Sequence, residues 1–236
     1  MRKVSQFYAP YKPVRHVGIG IRFDVEDQSA KPGCTPSVYK TGAIDRLAQT
    51  VDAEKEIAAK YATLERNYWT LDGTAEILPD DLTGVETGWW DAALSDENGQ
   101  FATTPWVRYD FAGPVSTIGW GLFFDSKGNQ YPTSVRVTAY GADGAAVLQK
   151  TFTAASPVLQ MPYQLSDYYA VRFEFLATSE PYRRIRLVEA NFGLSELLDA
   201  NTIEKASFTY GVSLTSDALP SRQLDFSFDN SDKKYN

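Results

Sequence analysis

The chain has 236 residues, of which 43% are hydrophobic and 14% aromatic, so it can bury a sizeable core in one large or two small domains. Its net charge of −7, from 23 basic and 30 acidic residues, argues against a nucleic acid or an anionic membrane as partner, because both select a basic surface. The single cysteine, Cys34, excludes an internal disulfide, and the sequence contains no Cys/His cluster that would hold zinc.

The amino-terminal stretch, residues 1–7, lacks the apolar core of a secretory signal, and no run in the sequence is long enough to cross a bilayer. We therefore expect a protein that is made in the cytoplasm without a signal peptide. Apolar residues alternate strictly with other residues over positions 17–25, up to a polar stop at Glu26, Asp27 and Gln28. This alternation predicts a half-buried strand.

The segment after this strand begins as a loop, because residues 31–36 contain two prolines and a glycine. Ala, Glu and Lys are frequent further along the segment. A rough helical stripe is formed there by Ile44, Leu47, Val51, Ala58 and Tyr61. The composition and the stripe together predict one helix.

From residue 68 to residue 192 the sequence is typical of a β-sandwich, because apolar residues alternate with polar or small ones in segment after segment. The alternating sets are Val107, Tyr109, Phe111; Ile118, Trp120, Leu122, Phe124; Val135, Val137, Ala139; and Val171, Phe173, Phe175. Asn-Gly at residues 98–99 and Asp-Gly at residues 143–144 supply the positive φ of tight turns. Parity changes between Leu187 and Val188, which predicts a β-bulge.

Alternation returns near the carboxy terminus and predicts a hairpin with a six-residue loop, from Phe208, Tyr210, Val212 and Leu214 and then Leu224, Phe226 and Phe228. Two strands alone are marginally stable, so we expect the hairpin to pair with the strand of residues 17–25. The predicted organisation is a sandwich at residues 67–193, inserted in or flanked by a smaller β domain. That domain would consist of a β/helical segment, residues 1–66, and of the hairpin segment, residues 194–236.

Several pieces of the sandwich region follow one another in a recognisable order. A Trp-x-x-x-Asp strand at residues 106–110 precedes a strand that ends in the Asp-Gly turn at residues 143–144. Two closing strands carry Val-Arg-Phe at residues 171–173 and Arg-Ile-Arg-Leu at residues 184–187. This set resembles the discoidin, or galactose-binding-like, family of jelly-roll sandwiches, which also occurs in many carbohydrate-binding modules. The resemblance implies a mainly β recognition module.

Further pieces, at residues 60–73, 88–99, 181–187 and 219–230, extend a second comparison over most of the chain. They resemble minor structural or tail proteins of phages and prophages of Gram-positive bacteria. The resemblance implies a virion component that forms a homo-oligomer, with other tail or baseplate subunits as partners. It also implies that the full-length protein continues beyond Asn236.

Catalytic groups are few in this sequence. His16 is the only histidine, and it lies in the run into a strand, where a solvated or capping imidazole is the simpler interpretation. The neighbouring acids are Asp24 with Glu26, Asp80 with Asp81, and Asp96 with Glu97. All lie at strand ends or in turns, where carboxylates usually accept bonds from backbone amides. We therefore predict no catalytic residue.

We also predict no cofactor, with a structural calcium ion as the one open alternative. Residues 229–232 space oxygen atoms suitably for calcium but lack the Gly and Glu of a calcium-binding loop. No metal ligand is therefore assigned.

Aromatic residues are better candidates for ligand contact, because rings stack on the apolar faces of sugars. Trp89 and Trp90 are adjacent on extended chain, so one ring can pack inward while the other points to solvent or a partner. Tyr131 and Tyr182 lie near segment ends, and Arg183 could bond hydroxyls or carboxylates. The alternatives are core filling for the aromatics and a solvated or paired arginine.

Two classes of function remain. The first is a non-catalytic component of a phage or prophage tail or baseplate, whose sandwich packs against neighbouring subunits or binds host-surface glycans. The second is the carbohydrate-binding module of a polysaccharide-acting enzyme. The missing signal favours the first, because virions leave the cell by lysis, and this function places the protein in the virion.

Overall fold

The computed structural model describes residues 21–63, 65, 66, 68, 72–198, 203–211 and 221–228. This part of the chain is mainly β, as the alternating pattern predicts. Its strands are β1 Ile21–Glu26, β2 Thr35–Val38, β3 Ile44–Asp45, β4 Tyr61–Ala62, β5 Glu76–Ile77, β6 Trp89–Trp90, β7 Trp106–Phe124, β8 Pro132–Tyr140, β9 Ala146–Thr153, β10 Val158–Thr178, β11 Arg186–Asn191, β12 Gly193–Leu198, β13 Ile203–Gly211 and β14 Ser221–Phe228. Among these described residues no helix is long and apolar enough to cross a membrane.

The helix predicted between residues 44 and 61 is wrong. Ile44 lies in β3, which pairs with β6, and Tyr61 lies in β4. Between them is a 3₁₀ helix of five residues, Leu47–Val51, and the positive φ of Ala53, 80°, prevents an α-helix from continuing. The apolar stripe is also buried in two different places, since its two ends pack on Trp90 while the 3₁₀ helix packs on the main core.

Two long strands, β7 and β10, run through both layers of the sandwich. They pair antiparallel in two stretches, residues 106–110 with 170–174 and residues 115–123 with 158–168. Register shifts between residues 162 and 170 separate the stretches and let the ribbon fold over. The first stretch forms one layer with β2, β8 and β9, and the second forms the other layer with β3, β6 and β11. The predicted β-sandwich is confirmed.

The core lies between these layers. Nearly all of the predicted inward residues are buried, namely Val107, Tyr109, Phe111, Trp120, Leu122, Phe124, Val135, Val137, Ala139, Val171, Phe173 and Phe175. Ile118 is the exception, since its side chain is 45% exposed where the register of β7 against β10 shifts. Aromatic edge-to-face contacts fill the centre, such as Phe111 on Phe192 with centroids 4.8 Å apart.

Two local predictions are also confirmed. The pairing of β11 with β7 shifts register between Leu187 and Glu189, where the sequence predicts a bulge. At the Asp-Gly turn between β8 and β9, Gly144 has a φ of 76° and donates its N–H to the Gly141 carbonyl at 3.0 Å. Both features follow from sequence parity and glycine chemistry alone.

The chain divides into two compact units, Asp24–Ser195 and Met1–Phe23 with Glu196–Asn236. The first unit holds the sandwich and includes β2 and β3. The second includes the hairpin predicted from sequence, in which β13 pairs antiparallel with β14. Strand β1 pairs with β12. Pairing of the hairpin with the amino-terminal strand stays a prediction, and residues 17–20 of that strand lie outside the described residues.

Candidate functional site

Several loops meet at one end of the sandwich, which we call the loop end. They are residues 39–43 after β2, residues 91–105 between β6 and β7, residues 125–131 between β7 and β8, and residues 179–185 between β10 and β11. Antiparallel pairing brings these strand ends side by side. Backbone bonds then join the loops, from Asp91 N–H to the Ile185 carbonyl at 2.8 Å and from Ser179 N–H to the Tyr131 carbonyl at 2.9 Å.

A cleft of about 340 Å³ lies at the loop end, at the lower end of the range of about 300–1,000 Å³ for small-molecule sites. It is lined by Tyr39, Lys40, Ala93, Leu94, Ala102 and Thr103. Lys40 and Thr103 are exposed, and Leu94 is 42% exposed. The cleft therefore presents an aromatic ring, an aliphatic side chain, an ammonium group and a hydroxyl group together.

The ring of Tyr39 is held from two sides. Its hydroxyl donates to Asp91 Oδ1 at 2.7 Å, and its ring centroid lies 6.4 Å from that of Trp106. Gly42 lets the loop approach β6, because a Cβ at this position would lie 2.5 Å from the Trp90 carbonyl oxygen. A ring fixed in this way loses little conformational freedom when a ligand stacks on it.

Asp91 is fully buried next to this ring. Burial raises the pKa of Asp91, while bonds from the Tyr39 hydroxyl and from the amides of Ala93 and Ala92 act in the opposite direction. Burial, together with Asp91, also raises the pKa of Tyr39, so the phenol keeps its proton and remains a donor. Arg184 donates to the Asp91 carbonyl at 2.8 Å. Asp91 is thus a positioning residue for Tyr39.

The loop of residues 91–105 is fixed to the loop that follows β10. Ser95 N–H donates to the Arg183 carbonyl at 2.8 Å, and the Ser95 hydroxyl accepts from Arg183 N–H at 3.0 Å. The Thr178 hydroxyl lies 2.8 Å from Ser95 Oγ. Gly99 closes the turn with a φ of 74°, and a Cβ there would lie 2.7 Å from the Thr178 carbonyl oxygen. The wall of the cleft that residues 91–105 form is therefore supported by the loop that follows β10.

The cleft offers the groups that bind a polyhydroxylated ring. Tyr39 and Leu94 present apolar surface, and Lys40 and Thr103 carry hydrogen-bond donors. None of the six described lining residues is an Asp, Glu, His or Cys. The apolar surface and the hydrogen-bond donors of this arrangement suit non-covalent binding of such a ring.

A second depression, of about 240 Å³, is lined by Val25, Glu26, Asp27, Ser116, Thr117, Ile118, Gln164 and Ser166. It has no aromatic ring among these described residues. Asp27 Oδ1 accepts from the Ser29 hydroxyl at 2.6 Å and Oδ2 accepts from Ser116 N–H at 3.1 Å, and these bonds lower its pKa. Since the described residues of this depression offer no ring for stacking and the Asp27 carboxylate is already engaged, it is the weaker candidate for a sugar.

Trp89 and Trp90 are both buried, with exposed fractions of 0% and 2%. They face opposite ways, as adjacent strand residues should, with Trp89 in the main core and Trp90 in a small cluster with Ile44 and Tyr61. The expectation that one ring points to solvent is not met, because β3 and β4 cover it. A ligand-binding role for either residue stays a prediction without structural support.

Tyr131, Tyr182 and Arg183 belong to loops of the loop end, but none of them lines the cleft. Tyr131 is half-buried against the core. Tyr182 is half-buried, with the Arg66 guanidinium 5.0 Å from its ring centroid. Arg183 is only 7% exposed, and its guanidinium bonds the Arg66 carbonyl and lies 5.6 Å from the Tyr68 ring. Their roles as ligand contacts stay predictions.

The lining residues Tyr39 and Lys40 were missed by sequence reasoning. They directly follow a short strand in the segment that the sequence assigns to a loop and a helix. A polar aromatic residue and a lysine at the exit of a strand are a weak signal for a rim. Only the fold shows that residues 93, 94, 102 and 103 lie opposite them.

A buried ionic cluster was also missed. Arg186 is fully buried, and its guanidinium donates to Asp125 Oδ2 at 2.8 Å, to the Tyr68 hydroxyl at 2.5 Å and to the Glu65 carboxylate. The cluster holds the short segment around Glu65 and Tyr68 on the sandwich. Its signal in the sequence is an arginine at the start of β11, directly before the apolar residues Leu187 and Val188.

Two of the acids considered from the sequence behave as turn residues, whereas Asp24 lies within β1 and pairs with Lys55 Nζ at 2.6 Å. Asp96 Oδ1 accepts the N–H groups of Asn98 and Gln100 at 2.8 Å and 2.9 Å. Asp81 Oδ1 accepts Thr83 N–H at 2.8 Å. These bonds are the ones that Asp makes in tight turns, so the turn interpretation of both residues is confirmed.

Other reactive groups give no site. Burial raises the pKa of the Cys34 thiol to about 12, so the thiol is protonated and unreactive at neutral pH. His16 and residues 229–232 lie outside the described residues. Within the part that is described, no three His, Cys, Asp or Glu side chains group as metal ligands.

Solved structures of similar fold include several carbohydrate-binding modules. The family 32 module of NanJ from C. perfringens, in complex with galactose, is 12% identical, has a TM-score of 0.44 and overlaps 75% of this chain and 100% of the module. The lectin domain of lectinolysin, complexed with Lewis B antigen, is 14% identical with a TM-score of 0.44, over 71% of this chain and 96% of the domain. The family 32 module of EndoD from Streptococcus pneumoniae is 13% identical with a TM-score of 0.44, over 69% of this chain and 96% of the module.

No known protein family and no curated protein matches the chain. With identities of 12–14%, the likeness to the solved modules is one of overall fold. Any functional conclusion therefore depends on the residues of the loop end.

Proposed function

We propose that the sandwich unit is a non-catalytic carbohydrate-binding module that takes a sugar ring in the loop-end cleft. The observation that carries this proposal is Tyr39, whose ring is immobilised by Asp91 and Trp106 beside the exposed Leu94. A preorganised aromatic ring next to apolar surface suits the C–H face of a sugar. Lys40 and the residues around it add donors for the hydroxyl groups.

Such a site binds weakly as a single copy. Each sugar hydroxyl exchanges a bond to water for a bond to protein, with a net gain of only about 0.5–1.5 kcal/mol. The cleft has few lining groups, so its affinity depends mainly on the stacked ring. Several copies acting together would raise the apparent affinity through avidity.

The test is a Tyr39→Ala variant on a glycan array and in titrations with the glycans that the wild type retains. We expect binding to weaken about tenfold, or about 1.4 kcal/mol, because the stacking surface is lost. Tyr169→Ala is the matched control, since Tyr169 is a half-buried tyrosine of β10 that does not line the cleft. Thermal unfolding of each variant checks that the sandwich is intact.

Two results would overturn the proposal. Equal binding by the wild type and by Tyr39→Ala would remove the cleft as the site. Release of sugars from a bound polysaccharide by the wild type would remove the non-catalytic assignment.

We further propose two settings for the module, a phage tail or baseplate and a polysaccharide-acting enzyme. The tail setting, with homo-oligomers and other tail subunits as partners, is supported by the sequence resemblance alone. The proposed sugar-binding cleft supports the enzyme setting, because such modules bind the polymer while a separate domain cleaves it. Tape-measure, holin and endolysin genes beside the coding sequence would support the tail setting, and a glycosidase locus would support the enzyme setting.

A further inference from the structure

The outer face of the layer formed by β2, β7, β10, β8 and β9 carries an unusual set of side chains. We name it the arginine face, and it consists of Trp106, Arg108, Asp110, Arg136, Tyr140, Arg172 and Glu174. These residues alternate with the buried core residues of the same strands, which places them on the solvent side. The face belongs entirely to the sandwich unit and none of its residues lines the loop-end cleft.

Two arginines lie side by side on adjacent strands of this face. Arg108 of β7 and Arg172 of β10 are direct cross-strand partners in the antiparallel register. Cβ atoms of such partners lie about 4.5–5.5 Å apart, and like charges at this spacing repel each other. Since the side chains are 30% and 29% exposed, solvent screens this repulsion only in part. An anion bound between the two guanidinium groups would relieve it.

The arginine face carries one more guanidinium group than carboxylates. Arg108 donates in a forked pair to Asp110, from Nη2 to Oδ1 at 2.7 Å and from Nε to Oδ2 at 3.1 Å. Glu174 takes Arg136 in a second fork at 2.8 Å and 2.9 Å, and it meets Arg172 only at 3.3 Å. Three guanidinium groups therefore share two carboxylates. Among the described residues, Nε of Arg172 has no hydrogen-bond partner.

Aromatic rings fix the orientation of the two arginines. The Tyr140 ring lies 4.4 Å from the Arg108 guanidinium and 5.9 Å from that of Arg172. Trp106 lies 5.9 Å from the Arg172 guanidinium on the other side. A guanidinium group held over an aromatic ring can still direct N–H groups outward to a carboxylate, and Arg108 already does so to Asp110. Both rings are half-buried, so each also keeps open surface.

We propose that the arginine face is a second binding site, one that takes an acidic polysaccharide. A carboxylate of the polymer binds between Arg108 and Arg172, and the adjoining sugar ring lies on the open surface of Trp106. The charge is notable because the whole chain carries −7, so a locally cationic face selects acidic ligands against a repulsive background. This site has its own lining residues, and it adjoins the neutral-sugar site proposed for the loop end through the contact between Trp106 and Tyr39.

Polygalacturonate and its methyl-esterified form are the probes, because esterification removes the charge and leaves the sugar backbone. We expect the wild type to bind polygalacturonate at low ionic strength, to release it as salt is added, and to bind the ester form at least tenfold more weakly. The Arg172→Gln variant should weaken binding about tenfold, since a charge-assisted hydrogen bond contributes about 1.5–3 kcal/mol. Arg108→Gln should act in the same direction.

Lys127→Gln is the matched control, because Lys127 is an exposed cation outside the face, 43% exposed and 3.8 Å from Glu56. It should bind polygalacturonate as the wild type does. Leu94→Ala should also leave this binding intact, because Leu94 lines the loop-end cleft and is not a residue of the arginine face. The inference is overturned if the wild type does not bind polygalacturonate or if it binds the ester form equally well. It is also overturned if Lys127→Gln weakens binding as much as Arg172→Gln does. Should Arg172→Gln unfold, Arg108→Gln decides the matter, and unchanged binding by it overturns the inference.

Discussion

A single buried arginine joins three parts of the chain that are distant in sequence. Arg186, Glu65 and Asp125 all have fully buried side chains. Removing one partner of such a cluster leaves an uncompensated charge and costs about 3–5 kcal/mol, whereas replacing the whole cluster by apolar residues is often neutral. We infer that the cluster fixes where the segment around Glu65 lies on the sandwich more than it adds net stability.

Glu189 is a second buried charge, on β11. Its Oε1 lies 2.5 Å from Lys31 Nζ and accepts Ala53 N–H at 3.1 Å. Burial raises the pKa of Glu189 to about 8, although the Lys31 ammonium acts against this rise; Asp52 adds to it and Lys55 opposes it. The folded protein therefore binds a proton that the unfolded chain has already released at neutral pH.

This proton makes stability depend on pH in a defined direction. Between about pH 4.5 and pH 8 the native state holds more protons than the unfolded state, so the unfolding free energy falls as pH rises through this window. Glu189→Gln lacks the titrating group and should lose less stability between pH 5 and pH 8 than the wild type. Urea unfolding at the two pH values measures this, with exposed Glu97→Gln as the control. Parallel pH profiles for wild type and Glu189→Gln would contradict the prediction.

At the scale of single elements, the alternation of apolar and polar residues identified strands with one buried face. An example is β8, in which Val135 and Val137 are buried. It did not show that β7 is one strand of 19 residues, because the fold-over at the register shift interrupts the period. It also gave no way to see that Trp90 is covered. The covering residues, Ile44 and Tyr61, are far from it in sequence, and their own pattern predicted a helix instead.

The turn that closes with Gly99 gives a prediction for the element that braces the cleft. Gly99→Ala and Gly144→Ala both place a Cβ at positive φ, 74° and 76°, which costs about 1–2 kcal/mol. At Gly99 the new Cβ also meets the Thr178 carbonyl at 2.7 Å, whereas nothing lies within 4 Å at Gly144. We expect Gly99→Ala to lose about 1–3 kcal/mol more than Gly144→Ala and to weaken glycan binding as well.

Chemical denaturation compares the two variants, and the same titrations used for Tyr39 report on the cleft. Gly144→Ala serves as the internal control, because its turn joins β8 to β9 and touches no residue of the cleft. Equal losses of stability for the two variants would show that the backbone near Thr178 shifts at little cost to make room for the new Cβ. The close contact between Gly99 and Thr178 would then be unimportant for the cleft.

At the scale of the whole molecule, the sandwich unit should fold by itself. Every residue of its main core lies within Asp24–Ser195. A fragment of these residues is therefore expected to unfold cooperatively and to bind glycans as the full chain does. The cut must not extend to residue 30, because Ala30 is fully buried in the core and Lys31 bonds Glu189. A fragment that shows no cooperative transition, or that loses glycan binding, would refute this division.

The sequence was sufficient for the class of the fold but not for the site. Alternation and turn chemistry are local signals, and they predicted the sandwich, the bulge near Leu187 and the carboxy-terminal hairpin. The cleft depends on two loops that approach each other only after folding, so Tyr39 and Leu94 carry no joint signal in the sequence. Of the predicted site residues, Tyr131, Tyr182 and Arg183 lie in loops of the loop end, whereas Trp89 and Trp90 are buried, and a ligand-binding role for each stays a prediction.

The antiparallel layers also determine how the module would carry a mechanical load. The cleft lies at one end of the strands, whereas the polypeptide enters the unit near Asp24 and leaves it near Ser195, beside the fold-over of β7 at the other end. Tension between a tethered glycan and the chain therefore runs along the strands, across the hydrogen bonds that join them. Hydrogen bonds loaded in shear along the strands must break together instead of one at a time. We therefore expect the ligand to dissociate under tension before the sandwich unfolds.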